Sequence, residues 1–452
     1  MFEKMKKQLT FDQTMRNILA VLLLLVMFIG GCNSEMILST VFPDTATPMP
    51  EQKPDIAMTT APTEETLEAM EPIESTGAPL IIWVPPQFDP YQETDQGSMV
   101  QEQITTFLDE NPSTEITVRV KPVAGPGSLL DTLVNAAQVA KASLPTIVLL
   151  PRSDMERAAA QGLLTPIDAY TERIDDTDWY PFAVDMAIIQ GEIYGIPFLA
   201  NALGFITAQP FERSELYSIR TVQTNIDRVV FPAGDIDSII PILFYASTGG
   251  SLFDAQGQVQ LDSEALADTF EQLAGLIQSN VFPKTLLEVT SHEAAVEQFQ
   301  SGAYDGLITW VNGIDLEEQE KKLNPVPTFG DETLTYAKGW VWCVVETEDE
   351  HQEEQGIRLV EHLTEAGFLS SITPASGYLP VRPSTLPAWE STGDPTAIDW
   401  LLTSAQLIPS HEELSQIKTV FNSVFLEILS GNMNAVQAAD KVLEQMEAPK
   451  TP

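Results

Sequence analysis

From residue 80 onward, short continuous apolar runs alternate with stretches whose apolar residues recur at helical spacing. Leu80-Ile-Ile-Trp-Val84 is β-rich and stops at Pro85-Pro86, which predicts a buried strand. Residues 99–108 place Val100, Ile104, Phe107 and Leu108 on one helical face and end before Asn111-Pro112. Residues 115–120 alternate as a strand, 129–142 return to helical spacing, and 146–150 form a second buried run. Strand, helix, strand, helix, strand is the order of a parallel sheet covered by helices. Functional groups in such sheets collect beyond the carboxyl ends of the strands, which sets Gln87, Phe88, Arg152 and Ser153 along one edge.

The same alternation continues. Helices are expected at 239–246, 263–278, 294–299, 356–364, 417–429 and 434–446, and strands at 307–310 and 339–345. Asp262 or Ser263 is a suitable cap for the second of these helices. No internal repeat interrupts the series.

Before residue 80 the pattern is different. Lys4, Lys6, Lys7 and Arg16 precede an apolar stretch at 18–29, and Gly30-Gly31-Cys32 follows. A basic start, an apolar run too short for a comfortable membrane span, and small residues at the end make a signal peptide over 1–31. Residues 33–79 are rich in Pro, Thr and Glu and have little apolar periodicity, so they are expected to form a disordered, self-repelling tether.

Composition narrows the function classes. The chain of 452 residues is 44% hydrophobic and 19% charged, enough for a large two-lobed body or two to three domains. Its formal net charge of -42 repels nucleic acid and anionic lipid surfaces, so no nucleic-acid partner is expected. Of the two cysteines, Cys32 lies at the expected cleavage site, and Cys343 sits in an apolar run as a buried, inert thiol. No Gly-x-Ser-x-Gly, His-Glu-x-x-His or Cys-x-x-Cys occurs, so neither a catalytic site nor a metal or other cofactor is expected. The four histidines (His292, His351, His362 and His411) are dispersed, and three are expected in exposed acidic helical stretches. Asp175-Asp-Thr-Asp178 lacks the glycine and bidentate acid of a calcium loop and is expected to be a solvated turn.

Ile29-Gly-Gly-Cys32 resembles the bacterial lipobox, which implies lipid on Cys32 after cleavage. The body resembles an extracellular solute-binding protein of an ABC importer, of the sugar-binding class typified by maltose-binding protein. Several modest motifs in matching order carry the resemblance: the run 80–87, Leu144-Pro-Thr-Ile-Val-Leu-Leu150 with Gly162-Leu-Leu-Thr-Pro-Ile167, and Gly191-Glu-Ile-Tyr-Gly-Ile-Pro197. Thr248-Gly-Gly-Ser-Leu-Phe-Asp254, Phe299-Gln-Ser-Gly302 with Ile308-Thr-Trp310, Gly377-Tyr-Leu-Pro-Val381 and Leu429-Ser-Gly431 continue it. The chain departs from the family at Pro85-Pro86-Gln87-Phe88, where polar or acidic sugar ligands often stand, and at Lys338-Gly339, where a Gly-Gly pair is usual.

The resemblance implies a periplasmic-binding-protein-like α/β fold of two lobes joined by a hinge. Lobe one would take residues 80–198 plus 338–378, and lobe two 199–337 plus 379–446. Ligand would lie in the cleft and favour the closed state, because contacts to both lobes exist only there. Gln87, Arg152, Ser153 and Asn201 are the expected polar contacts, with Gly250 in the far turn. Trp310 and Trp340, with Tyr378 behind them, are the expected stacking faces, against the alternative of core packing. Trp83 and Trp342 fit the core better. Arg152 and Lys338 could contact ligand or pair with surface acids.

The implied protein is a monomer on the extracytoplasmic face of the cell membrane. It would carry a solute, most often carbohydrate, to the permease subunits of an importer. Alternatives are a binding subunit for a membrane sensor and an anchored glycoside-acting hydrolase.

Overall fold

The computed structural model describes residues 79–447 apart from 176, 208–217, 220–223, 225, 255, 316–321, 331, 391–393 and 410–413. The signal segment, Cys32, the tether up to residue 78 and His411 lie outside the described residues. No helix among the described residues is long and apolar enough to cross a membrane.

Eleven strands are used below: β1 (Leu80–Val84), β2 (Ile116–Val120), β3 (Ile147–Pro151), β4 (Ile188–Ile189), β5 (Glu192–Ile193), β6 (Ile196–Thr207), β7 (Val229–Val230), β8 (Gly306–Trp310), β9 (Lys322–Asn324), β10 (Thr335–Val344) and β11 (Ala405–Leu407). Nine form one sheet in the order β2-β1-β3-β10-β6-β8-β7, with β11 beside β10 and β9 beside β6. The parallel trio β2-β1-β3 matches the opening alternation of the sequence, with Trp83 facing Arg119 and Val148 in register. β4 and β5 make a separate small hairpin.

Two long strands bind the halves of this α/β body together. β10 pairs antiparallel with β3 through Trp340–Val344 and with β6 on its other side, where the register shifts between Trp340 and Val341. β6 changes partners along its length, from β10 at Ala202 and before to β8 and β9 from Leu203 on. A third crossing is the Ala200–Leu379 bridge, closed by hydrogen bonds of 2.9 and 2.7 Å. All twelve residues of β6 are buried, as expected of a strand covered on both faces.

Each half has its own aromatic core. Phe198 meets Phe88 at 5.5 Å, Trp342 at 5.8 Å and Phe368 at 6.1 Å between ring centroids. In the other half Phe231 meets Phe282 at 5.0 Å and Phe425 at 5.8 Å, and Phe244 stacks on Phe329 at 4.8 Å. Helices obey the expected patterning. Ser263–Gln278 buries Leu266, Phe270 and Leu273 on one face, and Asp262 Oδ1 caps it by accepting from the Ala265 N–H at 2.7 Å.

Several expectations need correction. The strand expected at 339–345 begins earlier, at Thr335, because the buried Thr335 hydroxyl donates to Leu203 O at 2.6 Å and extends the ladder. Helices Pro181–Ala187, Ala366–Ser376 and Pro395–Thr403 are additional. Asp178 is not simply a solvated turn residue: it accepts from the Ser384 N–H at 2.9 Å and pairs with buried Arg382 at 3.3 Å, whose guanidinium lies 3.9 Å over the Trp179 ring. His362 is buried rather than exposed, with its ring 5.5 Å from Phe107 and Nε2 3.0 Å from Gln103 O.

Candidate ligand cleft

The cleft opens where β6 and β10 cross, and its volume is about 1720 Å³. One wall comes from the carboxyl end of β3 and the helix Arg152–Ala159, together with the β4 hairpin. The facing wall is the start of helix His292–Gln300 and the end of β8 with the turn after it. Lys338, Gly339 and Trp340 of β10, with Asn201 of β6, form the floor. Leu407, Ile408 and Lys418 close the far rim.

Six of the eight expected ligand residues line this one cleft: Arg152, Ser153, Asn201, Trp310, Trp340 and Tyr378. Gln87 does not line it; it is half-buried in the short turn of helix after β1, whose neighbour Phe88 faces the cleft aromatics from beneath. Gly250 does not line it either. It borders a smaller cavity of about 560 Å³ beside Tyr336 and Gln406, and a Cβ there would collide with the Tyr245 ring. That ring is fixed, because its hydroxyl donates to Ser251 O at 2.9 Å and accepts from the Asp262 N–H at 2.7 Å. Gly250 therefore serves the close approach of this turn to Tyr245.

The aromatic wall has depth. Trp340 is only 8% exposed, yet it reaches the cleft, with Phe88 edge-on beneath it at 6.0 Å. Phe88 also supports Tyr378 at 6.0 Å. Two residues further along β10, Trp342 is 1% exposed and belongs to the core, and so does Trp83. Trp310 is half-buried at the end of β8, and the Lys338 ammonium lies 3.9 Å from its ring centroid.

Fixed polar groups surround these faces. Arg152 donates to Ile188 O at 2.8 Å and pairs with Glu156 one helical turn on. Burial pushes the Arg152 pKa down and the Glu156 pKa up, and their attraction opposes both shifts. Asn201 is 2% exposed and exchanges hydrogen bonds with Asn312: its Nδ2 donates to Asn312 Oδ1, and the Asn312 N–H donates to its Oδ1 at 3.2 Å.

His292 is a cleft residue that the sequence pattern hid. Ser291 caps its helix by accepting from the Ala294 N–H at 3.1 Å, which turns the first helical residue toward β8. His292 Nδ1 lies 2.9 Å from Thr309 Oγ1, and the ring is 6.2 Å from that of Trp310. Burial first, then the nearby Lys338 charge, push its pKa down to about 4, so the imidazole is neutral near pH 7. Lys338 itself reaches the water of the cleft, but protein encloses it on most sides. That desolvation lowers its pKa to about 8. No group of His, Cys, Asp or Glu among the described residues could hold a metal ion.

A two-lobed α/β body with a large aromatic and polar cleft at its crossing strands defines the solute-binding class. Residues 102–397 match the profile of the bacterial extracellular solute-binding protein family, and the chain belongs to that family. No curated protein sequence matches it significantly. Among solved structures, the chain is similar to a cyclic α-maltosyl-1,6-maltose binding protein from Arthrobacter globiformis: TM-score 0.65 and 18% identity, covering 82% of this chain and 98% of that one. Maltose-binding MalE from Listeria monocytogenes, solved with maltose, matches with TM-score 0.65 and 15% identity over 81% and 96% of the two chains. T. maritima MalE3, also solved with maltose, gives 0.60 and 16% over 81% and 98%. At these identities the likeness establishes the fold alone, a maltose-binding-protein-like two-lobed α/β fold. Membership in the extracellular family places the protein outside the cytoplasm.

Proposed function

We propose that the protein captures a sugar or oligosaccharide in this cleft by hinge closure and delivers it to the permease subunits of an ABC importer. It acts as a monomer held to the membrane by lipid on Cys32. The lobes are residues 80–198 plus 338–378 and residues 199–337 plus 379–446, linked by the three crossings near 199, 338 and 379. No bond is made or broken in this cycle.

The observation that carries the proposal is the gathering of Trp310, Trp340 and Tyr378 around one cleft rimmed by polar groups, with Phe88 supporting Trp340 and Tyr378 from beneath. Flat aromatic faces take the C–H patches of a sugar ring, and side-chain amides and charges take its hydroxyls. A cleft of about 1720 Å³ has room for more than one sugar ring. The reported ligands of the neighbouring structures, maltose among them, point the same way. The lipid anchor is supported by the sequence around Cys32 alone.

Thermal unfolding of the purified protein against neutral oligosaccharides tests the capture step. A ligand that binds only the folded state stabilises it by ~2.7 kcal/mol at a hundred times its Kd. We expect one oligosaccharide class to raise the transition midpoint in the wild type and not in Trp310→Ala. A midpoint unmoved by every saccharide would count against sugar capture.

A further inference from the structure

Among the described residues Lys338 is a cation without a counter-ion, in a chain that has acids in excess, 65 against 23 bases. The other bases lining the cleft each have a carboxylate: Arg152 has Glu156, Arg157 has Asp154 at 3.3 Å, and Lys418 has Asp237 at 3.5 Å. Lys338 pairs with no carboxylate among the described residues. Its Nζ rests over Trp310 and is open to the cleft. The neutral His292 ring beside it adds no charge of either sign.

The local balance also departs from that of the chain. Four bases (Arg152, Arg157, Lys338, Lys418) and three acids (Glu156, Glu293, Glu297) line the cleft, whereas the whole chain carries -42. Lys338 is solvent-exposed within the cleft, so its unpaired charge is free to attract an anion there, where cleft walls screen it less than open water does. The Trp310 face fixes the position of the ammonium without neutralising it.

We propose that the captured sugar carries an anionic group, carboxylate or phosphate, that seats on Lys338 Nζ while its ring lies against Trp340 and Tyr378. This rests on the cleft being the site of sugar capture. The ammonium donates charge-assisted hydrogen bonds to the anion, and Arg152, already held by Glu156 and Ile188 O, is less free to do so. The acids of the rim then disfavour ligands with a second, outward-facing negative group.

The test is calorimetric titration of the full chain with galacturonic acid disaccharide, glucose 1-phosphate and neutral maltotriose, repeated on Lys338→Met and Lys338→Arg. One anionic probe should bind at least about ten-fold tighter than maltotriose, and which one it is separates carboxylate from phosphate. Lys338→Met should abolish that preference, and Lys338→Arg, which keeps the charge, should retain most of it. The preference should also weaken as the pH is raised past about 8, where the wild-type ammonium loses its proton. Maltotriose binding as well as either anion, or an anion preference that survives in a folded Lys338→Met, would overturn the inference and leave sugar capture standing. No binding by any of the three, with no thermal response to neutral oligosaccharides either, would overturn capture itself and this inference with it.

Discussion

Asn201 and Asn312 hold each other through a reciprocal pair of hydrogen bonds that ties the crossing strand β6 to the turn after β8. The pair fixes the Trp310 end of the cleft relative to its floor. Replacing Asn201 by Ala removes both bonds, and the freed groups of Asn312, which is exposed, can turn to water. We expect a loss of about 0.5–1.5 kcal/mol in urea unfolding. Saccharide affinity should fall as well, since Trp310 loses its reference point.

Trp340 and Trp310 should behave differently when truncated. Trp340 both lines the cleft and packs on Phe88, so Trp340→Ala removes part of the cleft lining and opens a cavity. A cost of about 3–5 kcal/mol in the absence of ligand is expected, together with lost binding. Trp310 is half-buried, so Trp310→Ala should cost clearly less stability while removing an aromatic face of the cleft and the support of Lys338. Parallel denaturation and binding curves for the two variants check this.

His292 gives the stability profile a shoulder on its acid side. In the native state its pKa is down at about 4 from an ordinary 6.5, so between those values the unfolded chain binds the extra proton. The stability contributed by the neutral ring is complete above pH 6.5 and is lost as the pH falls toward 4. His292→Gln, which can still bond Thr309, should flatten the transition midpoint between about pH 6.5 and about pH 5. A wild-type slope unchanged in the variant would show that other groups set it.

Cys343 is fully buried, and burial pushes its thiol pKa up. A low-reactivity thiol follows, because the thiolate is the attacking species. Native protein should leave Cys343 unmodified by a thiol reagent over the time in which urea-unfolded protein reacts completely. Mass spectrometry of the tryptic peptide reads this directly.

Much of the architecture was legible because local patterning and burial agree. The run 80–84 and the helix 263–278 are legible at their observed limits, since a proline pair and a capping aspartate mark their ends. β6 is not legible as a strand. Its twelve residues are covered on both faces and contain Pro197, Asn201 and Gly204, so neither alternation nor an unbroken apolar run announces it. The cleft was legible where it follows strand ends, as at Arg152, Ser153 and Trp310. It was not legible at His292, which stands among acids at a helix start and is drawn into the cleft only by tertiary packing against β8. Gln87 follows a strand end too, but the turn Pro86–Phe88 sends Phe88, not Gln87, under the aromatic wall.

Hinge closure on a bound sugar is the central claim, and small-angle X-ray scattering of the purified protein tests it most directly. The radius of gyration is measured without ligand and at saturation with the saccharide that raises the unfolding midpoint most. A smaller radius in the wild type, and an unchanged one in Trp310→Ala, is the result expected of ligand that draws two lobes together. Identical scattering with and without a saturating ligand would contradict closure as the output of binding.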